Sequence, residues 1–135
     1  MTRVVLDTNV VVSGVLSAAG PPGWILEAVL TGDLQMAFDA TMRLEYEDVL
    51  SRREFDLSPA RVHDLLAAFD RFGLFVDAAP PLDAALPDAD DEPFLAVAAA
   101  TDATLVTGNL RHFPPARRCG VVVMSPRQFV DTLRQ

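Results

Sequence analysis

The feature that most constrains this chain is a regular alternation of short apolar runs with longer stretches of helical periodicity. Val4-Val5-Leu6 reads as a buried parallel strand. Leu34 to Phe38, Leu74-Phe75-Val76, Thr104-Leu105-Val106 and Val121-Val122-Val123 read as further short strands. Between them a helix is expected to begin in the segment Val10 to Ala18, weakened by Ser13 and Gly14. Gly20-Pro21-Pro22-Gly23 reads as a loop by composition, followed by a helix through Trp24, Ile25, Ala28 and Val29 that Thr31-Gly32-Asp33 ends. Thr41 to Ser51 is a helix with Met42, Tyr46, Val49 and Leu50 on one face.

Ser58-Pro59 starts the next helix, on which Val62, Leu65, Leu66 and Phe69 repeat at helical spacing. The proline-bearing stretch from Ala78 to Asp90 reads as an exposed loop. Asp91 to Ala100 is a helix with apolar residues nearly all round, so it should be well buried. Ser125-Pro126 caps a last helix carrying Phe129, Val130 and Leu133. Alternation from end to end implies an α/β fold, an α/β/α sandwich with a central mostly parallel sheet, as a single domain over residues 1–135.

Composition narrows the chemistry. The 135 residues support one core. Eleven basic residues, all arginine, stand against nineteen acidic ones, giving a net charge of −8. Without lysine there is no Schiff-base chemistry and no Walker-A loop. The single cysteine, Cys119, makes neither an internal disulfide nor a thiolate zinc site, and the two histidines, His63 and His112, are too few for a His-rich zinc centre. No apolar run reaches the roughly 18 residues of a membrane span, and no signal-peptide pattern precedes Val4, so a cytoplasmic setting is expected. Carboxylates, hydroxyls, amides and a cation they hold are what remain for catalysis.

Two polar clusters follow strands, Asp7-Thr8-Asn9 and Thr107-Gly108-Asn109. Ligands in open α/β sheets bind outside the carboxyl ends of strands, so both clusters are candidates. A carboxylate directly after a buried strand is unfavourable unless its charge is compensated, although Asp7 or Asn9 as a helix cap is a competing reading. On the helical wheel Glu45 lies about 85° from the centre of the buried face, nearer than Glu47 or Asp48, and is the member best placed to reach inward. Asp88, Asp90, Asp91 and Glu92 crowd the start of a buried helix; Asp91 as N-cap explains one of them, and a divalent cation explains the group.

Taken in order, Asp7-Thr8-Asn9-Val10, Glu45 within Leu44 to Leu50, Asp91 before Phe94–Ala100, and Thr107-Gly108-Asn109 resemble a PIN domain. The likeness is to the toxin-type PIN proteins of bacterial and archaeal toxin–antitoxin systems. It implies a ribonuclease dependent on Mg²⁺ or Mn²⁺, with Asp7, Glu45 and Asp91 matching the acidic metal ligands. Asp91 is preferred over its acidic neighbours because 18 residues separate it from Asn109, the spacing of the family. Asn109 is a departure from the aspartate many members carry and brings no charge. Thr8, Asn9 and Thr107 resemble the residues that orient the carboxylates.

On this reading Asp7 is the first ligand, Asp91 lies beside it, and Glu45 ligates through water or accepts the nucleophile's proton. Arg111, His112, Arg117 and Arg118 are candidates to hold an RNA backbone, against the competing reading of plain surface charges. Trp24, Ile25 and the loop before them are candidates for exposed apolar surface. The resemblance also implies a homodimer and a small antitoxin partner. Two other readings stay open: a PIN nuclease of RNA processing, and a non-catalytic PIN-like binding module, which Asn109 favours.

Overall fold

Strand β1 (Arg3–Leu6) occupies the centre of a five-stranded sheet, with Val4, Val5 and Leu6 fully buried. The computed structural model describes residues 2–134. The other strands are β2 (Gln35–Phe38), β3 (Leu74–Phe75), β4 (Thr104–Val106) and β5 (Val123–Met124), in the spatial order β3-β2-β1-β4-β5. Every pairing is parallel: Val4 sits between Met36 and Thr104, and Leu6 is level with Val106. Strand succession runs outward on one side from β1 to β3 and on the other from β4 to β5. The carboxyl ends of β1 and β4 therefore flank the switch point where such sheets bind ligands.

The helices are α1 (Thr8–Leu16), α2 (Pro21–Leu30), α3 (Ala40–Leu50), α4 (Pro59–Phe72), α5 (Glu92–Thr101) and α6 (Pro126–Leu133). Helix α5 packs on β1, β2 and β4, and its Phe94 to Ala98 stretch is buried throughout, as its all-round apolar character requires. Helix α1 packs on α2 and α3, α2 on α6 and α4, and α3 on α4. Ser58 caps α4 by accepting from the Arg61 N–H, and Ser125 with Gln128 forms a reciprocal capping box on α6. Among the described residues no single helix is long and apolar enough to cross a membrane.

Several local expectations are corrected. The Gly20–Gly23 segment is not a loop: α2 begins at Pro21, because two prolines in the first turn forgo only N–H groups that have no intrahelical partner. Helix α1 starts at Thr8 rather than Val10, with the Asp7 carboxylate accepting from the Thr8 N–H. The last strand is Val123–Met124, displaced toward the C-terminus from Val121–Val123. Ile25 is fully buried, whereas Trp24 is exposed. Within the loop from 78 to 90, Leu82, Ala84 and Leu86 turn inward against the core.

Helices α1 and α2 meet at 95°, and the corner needs two small residues, Gly14 and Gly23. A Cβ on Gly23 would lie 2.4 Å from the Ala18 carbonyl oxygen and 2.5 Å from that of Ser17. Both obstacles are backbone, so they cannot swing aside. Gly23→Ala is expected to destabilise the fold by about 1–3 kcal/mol, the usual cost of overpacking, read as a lower urea midpoint at constant slope.

Candidate active site

The site is built outward from the end of β1. Asp7 is the first residue past the strand, and its backbone N–H continues the ladder to the Val106 carbonyl at 2.9 Å. The residue is 5 % exposed. One carboxylate oxygen accepts from the Thr8 N–H at 2.8 Å, and the other from the Thr107 hydroxyl at 2.7 Å, with the Asn9 amide at 3.4 Å. Thr107, fully buried, thus ties the end of β4 to the end of β1. Asn9 makes a second tie, its Oδ1 accepting from the Gly108 N–H at 2.9 Å. That approach favours glycine at 108, since a Cβ there would lie 3.1 Å from the same oxygen.

Helix α3 brings the second carboxylate. Asp39 caps it by accepting from the Met42 N–H at 2.8 Å, and the Tyr46 hydroxyl, fully buried, donates to the Leu6 carbonyl at 2.6 Å. Tyr46 also packs edge-on to Phe69 and Phe94, with ring centroids 5.8 and 6.3 Å away. This anchor sets Glu45, one residue earlier, beside the start of α1, where the Thr8 hydroxyl donates to Glu45 Oε2. Glu45 is half-buried, whereas Glu47 and Asp48 are exposed, in agreement with the wheel.

Helix α5 brings the third carboxylate. Asp91 occupies the cap position, yet its side chain makes no capping bond, so the expectation of a capping carboxylate is corrected. It is 9 % exposed, and its Oδ2, shielded from solvent, has no hydrogen-bond donor. His112 Nδ1 lies 2.9 Å from that oxygen without presenting an aligned N–H. The crowded acidic run divides into separate tasks. Asp88 Oδ1 accepts from the Asp90 N–H at 3.0 Å, and Asp90 itself is exposed. Glu92 faces the loop, its two oxygens accepting from the N–H groups of Leu82 (3.0 Å), Asp83 (2.9 Å) and Ala84 (3.4 Å).

Burial is the largest influence on the two inner aspartates. It raises the Asp7 carboxyl above its ordinary 3.8, against the pull of the Thr107, Thr8 and Asn9 hydrogen bonds and of His112. It raises Asp91 to about 6, aided by the charges of Asp7 and Asp88 and opposed by His112. Asp7, Asp91 and His112 therefore share one electrostatic environment. Among the described residues, however, the tight set of potential ligand atoms is Asp88, Asp91 and His112, all within 4.8 Å of one another. Asp7, Glu45 and Asp91 do not form a set that close. Sequence reasoning places Asp88 in the acidic group but misses the pairing of His112 with Asp91, which nothing in their spacing signals.

Of the remaining residues, Asn109 is half-buried, its backbone N–H donating to the Thr107 hydroxyl at 3.0 Å. His112, expected to face RNA, turns its Nδ1 to Asp91. Arg118 donates from Nε to the Phe113 carbonyl at 2.8 Å, so part of its guanidinium serves the 110–118 segment itself. Arg111 and Arg117 are exposed. A cavity of about 620 Å³ lies elsewhere: an apolar groove between α1, α2 and α4 lined by Gly14, Val15, Leu26, Leu30, Val62 and Leu65.

A parallel sheet with acidic residues gathered at its switch point agrees with what comparison finds. A family model described as PIN domain matches residues 3–111, and this chain belongs to the PIN domain family, whose members are generally nucleases. Three solved structures share the fold at low identity. VapBC2 from Rickettsia felis, bound to a DNA fragment from its promoter, superposes with a TM-score of 0.60 at 15 % identity, covering 92 % of this chain and 98 % of that one. FitAcB from Neisseria gonorrhoeae gives 0.61 at 21 % identity over 92 % of this chain and 98 % of that one. A domain from Methanocaldococcus jannaschii gives 0.56 at 18 % identity over 91 % and 89 %. No curated protein sequence matches the chain.

The raised Asp91 carboxyl makes folding stability depend on pH. A carboxyl whose folded value exceeds its unfolded one favours the fold while protonated. Its contribution is complete below about 3.8 and is lost as pH rises through about 6. In chelator, the urea midpoint of the native chain is expected to fall over that window relative to Asp91→Asn, which should lack this component. Parallel pH curves for the two proteins would refute the assignment.

Proposed function

We propose that this chain is a ribonuclease dependent on Mg²⁺ or Mn²⁺ and the toxin of a toxin–antitoxin pair. The observation that carries the reading is the buried Asp91 Oδ2, left without a donor in the same electrostatic environment as the buried Asp7 at the sheet's switch point. A buried anionic oxygen without a partner is costly, and oxygen-rich sites of this kind suit hard divalent cations. The donor set therefore fits the cation that the family implies. Asp7 and Asp91 would hold it, with Glu45 acting through water and the Asn109 amide oxygen as a further donor. When bound, such an ion neutralises charge on the scissile phosphate and makes the attacking water more acidic.

The chain's own residues supply the rest. Thr107, Thr8 and Asn9 fix the Asp7 carboxylate so that its oxygens need no reorganisation during the reaction. Glu45, half-buried and aligned by the Thr8 hydroxyl, accepts the proton released by the attacking water. Exposed Arg111 and Arg117 follow the site in sequence and would hold the RNA backbone, which a net charge of −8 would otherwise repel. The apolar groove between α1, α2 and α4 is large enough to bury a segment of an antitoxin, and the shared fold with VapBC2 and FitAcB supports that partner. The competing reading, a binding module without catalysis, draws on the neutral Asn109; the unpartnered Asp91 oxygen argues against it.

Asp7→Asn is expected to lower RNA cleavage in Mg²⁺ by roughly a hundredfold or more while the protein stays folded. Equal cleavage by variant and parent would remove Asp7 from the chemistry. Replacing Arg111 and Arg117 together by Glu should flatten the dependence of RNA affinity on salt, by about 0.7 logarithmic units for each phosphate no longer neutralised. An unchanged slope returns both arginines to the solvent.

A further inference from the structure

We propose that Asp88, Asp91 and His112 form a mixed carboxylate–imidazole cation site, and that His112 supplies a nitrogen ligand which makes this rim favour Mn²⁺ over Mg²⁺. The inference rests on reading the rim as a cation centre and goes beyond it in naming the ligands and the selectivity.

Three observations lead there. First, the candidate ligand atoms of these residues all lie within 4.8 Å of one another. An octahedral ion with bonds of about 2.1 Å places neighbouring ligands about 3.0 Å apart and opposite ones about 4.2 Å apart. The 2.9 Å between His112 Nδ1 and Asp91 Oδ2 is the separation of two neighbouring ligands. Second, Asp91 is nine-tenths buried and its Oδ2 has no donor, although His112 stands beside it. The contact is close but poorly aligned for a hydrogen bond, so the oxygen keeps the capacity to take a cation. Third, one Asp88 oxygen is occupied by the Asp90 N–H, which orients the carboxylate and leaves the second oxygen available.

The chain reaches this arrangement by two short turns. Residues Ala89–Asp91 form a 3₁₀ turn that brings Asp88 and Asp91 to one side. Residues Leu110–His112 form another, directly after the Thr107–Asn109 cluster that closes over Asp7. Ligation through Nδ1 requires the neutral tautomer with its proton on Nε2. An imidazole nitrogen suits first-row transition ions, whereas Mg²⁺ prefers an all-oxygen shell, so one nitrogen in the set shifts the preference away from Mg²⁺.

The sequence makes the test clean, because the only other imidazole is that of His63, exposed on α4. The untagged protein is loaded with Mn²⁺, and nitrogen coupling to the ion is recorded by pulsed electron paramagnetic resonance. Coupling is expected in the parent and in His63→Ala, and is expected to vanish in His112→Ala and His112→Gln. Calorimetric Mn²⁺ affinity should fall about tenfold or more in the His112 variants, with a smaller change for Mg²⁺. The parent and His63→Ala spectra together decide even if a His112 variant fails to fold. Bound Mn²⁺ without nitrogen coupling overturns the His112 assignment and leaves the oxygen centre of the proposed nuclease standing. No Mn²⁺ binding at millimolar concentration overturns both.

Discussion

The structure depends on keeping a carboxylate at the buried end of its central strand. The three apolar residues of β1 are fully buried and the next residue is Asp7, so a charge is forced into a place where desolvation is severe. The fold offsets this with donors from three directions: the Thr8 N–H, the Thr107 hydroxyl and the Asn9 amide. Those hydrogen bonds also join the ends of β1 and β4. The interactions that make the charge tolerable are thus the ones that shape the crevice.

The same logic extends to the helices. Tyr46 is a core residue by packing, wedged among Phe69 and Phe94, but its hydroxyl reaches the carbonyl immediately before Asp7. Removing that hydroxyl would leave a buried acceptor unpaired and loosen α3 where it carries Glu45. Helix α5, buried along Phe94 to Ala98, cannot rotate without exposing apolar surface, and this fixes Asp91 against the rim. Precision at the site comes from the core beneath it.

Much of this is legible in the sequence. Five strands and six helices follow from apolar runs, helical spacing and capping serines, and the alternation dictates a parallel sheet. Glu45 separates from Glu47 and Asp48 by its angle alone. What escapes is local chemistry with more than one solution. Two prolines between glycines suit a turn as well as a first helical turn, and the packing of α2 on α1 makes the choice. The run Asp88 to Glu92 reads as one negative patch, because spacing does not reveal that Glu92 turns to the loop and Asp91 to the site. His112 lies 21 residues beyond Asp91, and only the folding of the 107–112 segment past the end of β4 makes them neighbours.

Glu92 matters for what it withholds. Its carboxylate is occupied by three backbone N–H groups of the 82–84 loop, so it adds nothing to the rim. Of the acidic groups that remain, Asp7 and Asp91 are buried and Glu45 is half-buried, so three carboxylates carry the inward charge. One more inward carboxylate would add to the repulsion from Asp7 and Asp88 that already raises Asp91. By committing one acid to a loop clasp, the fold keeps that charge out of the crevice.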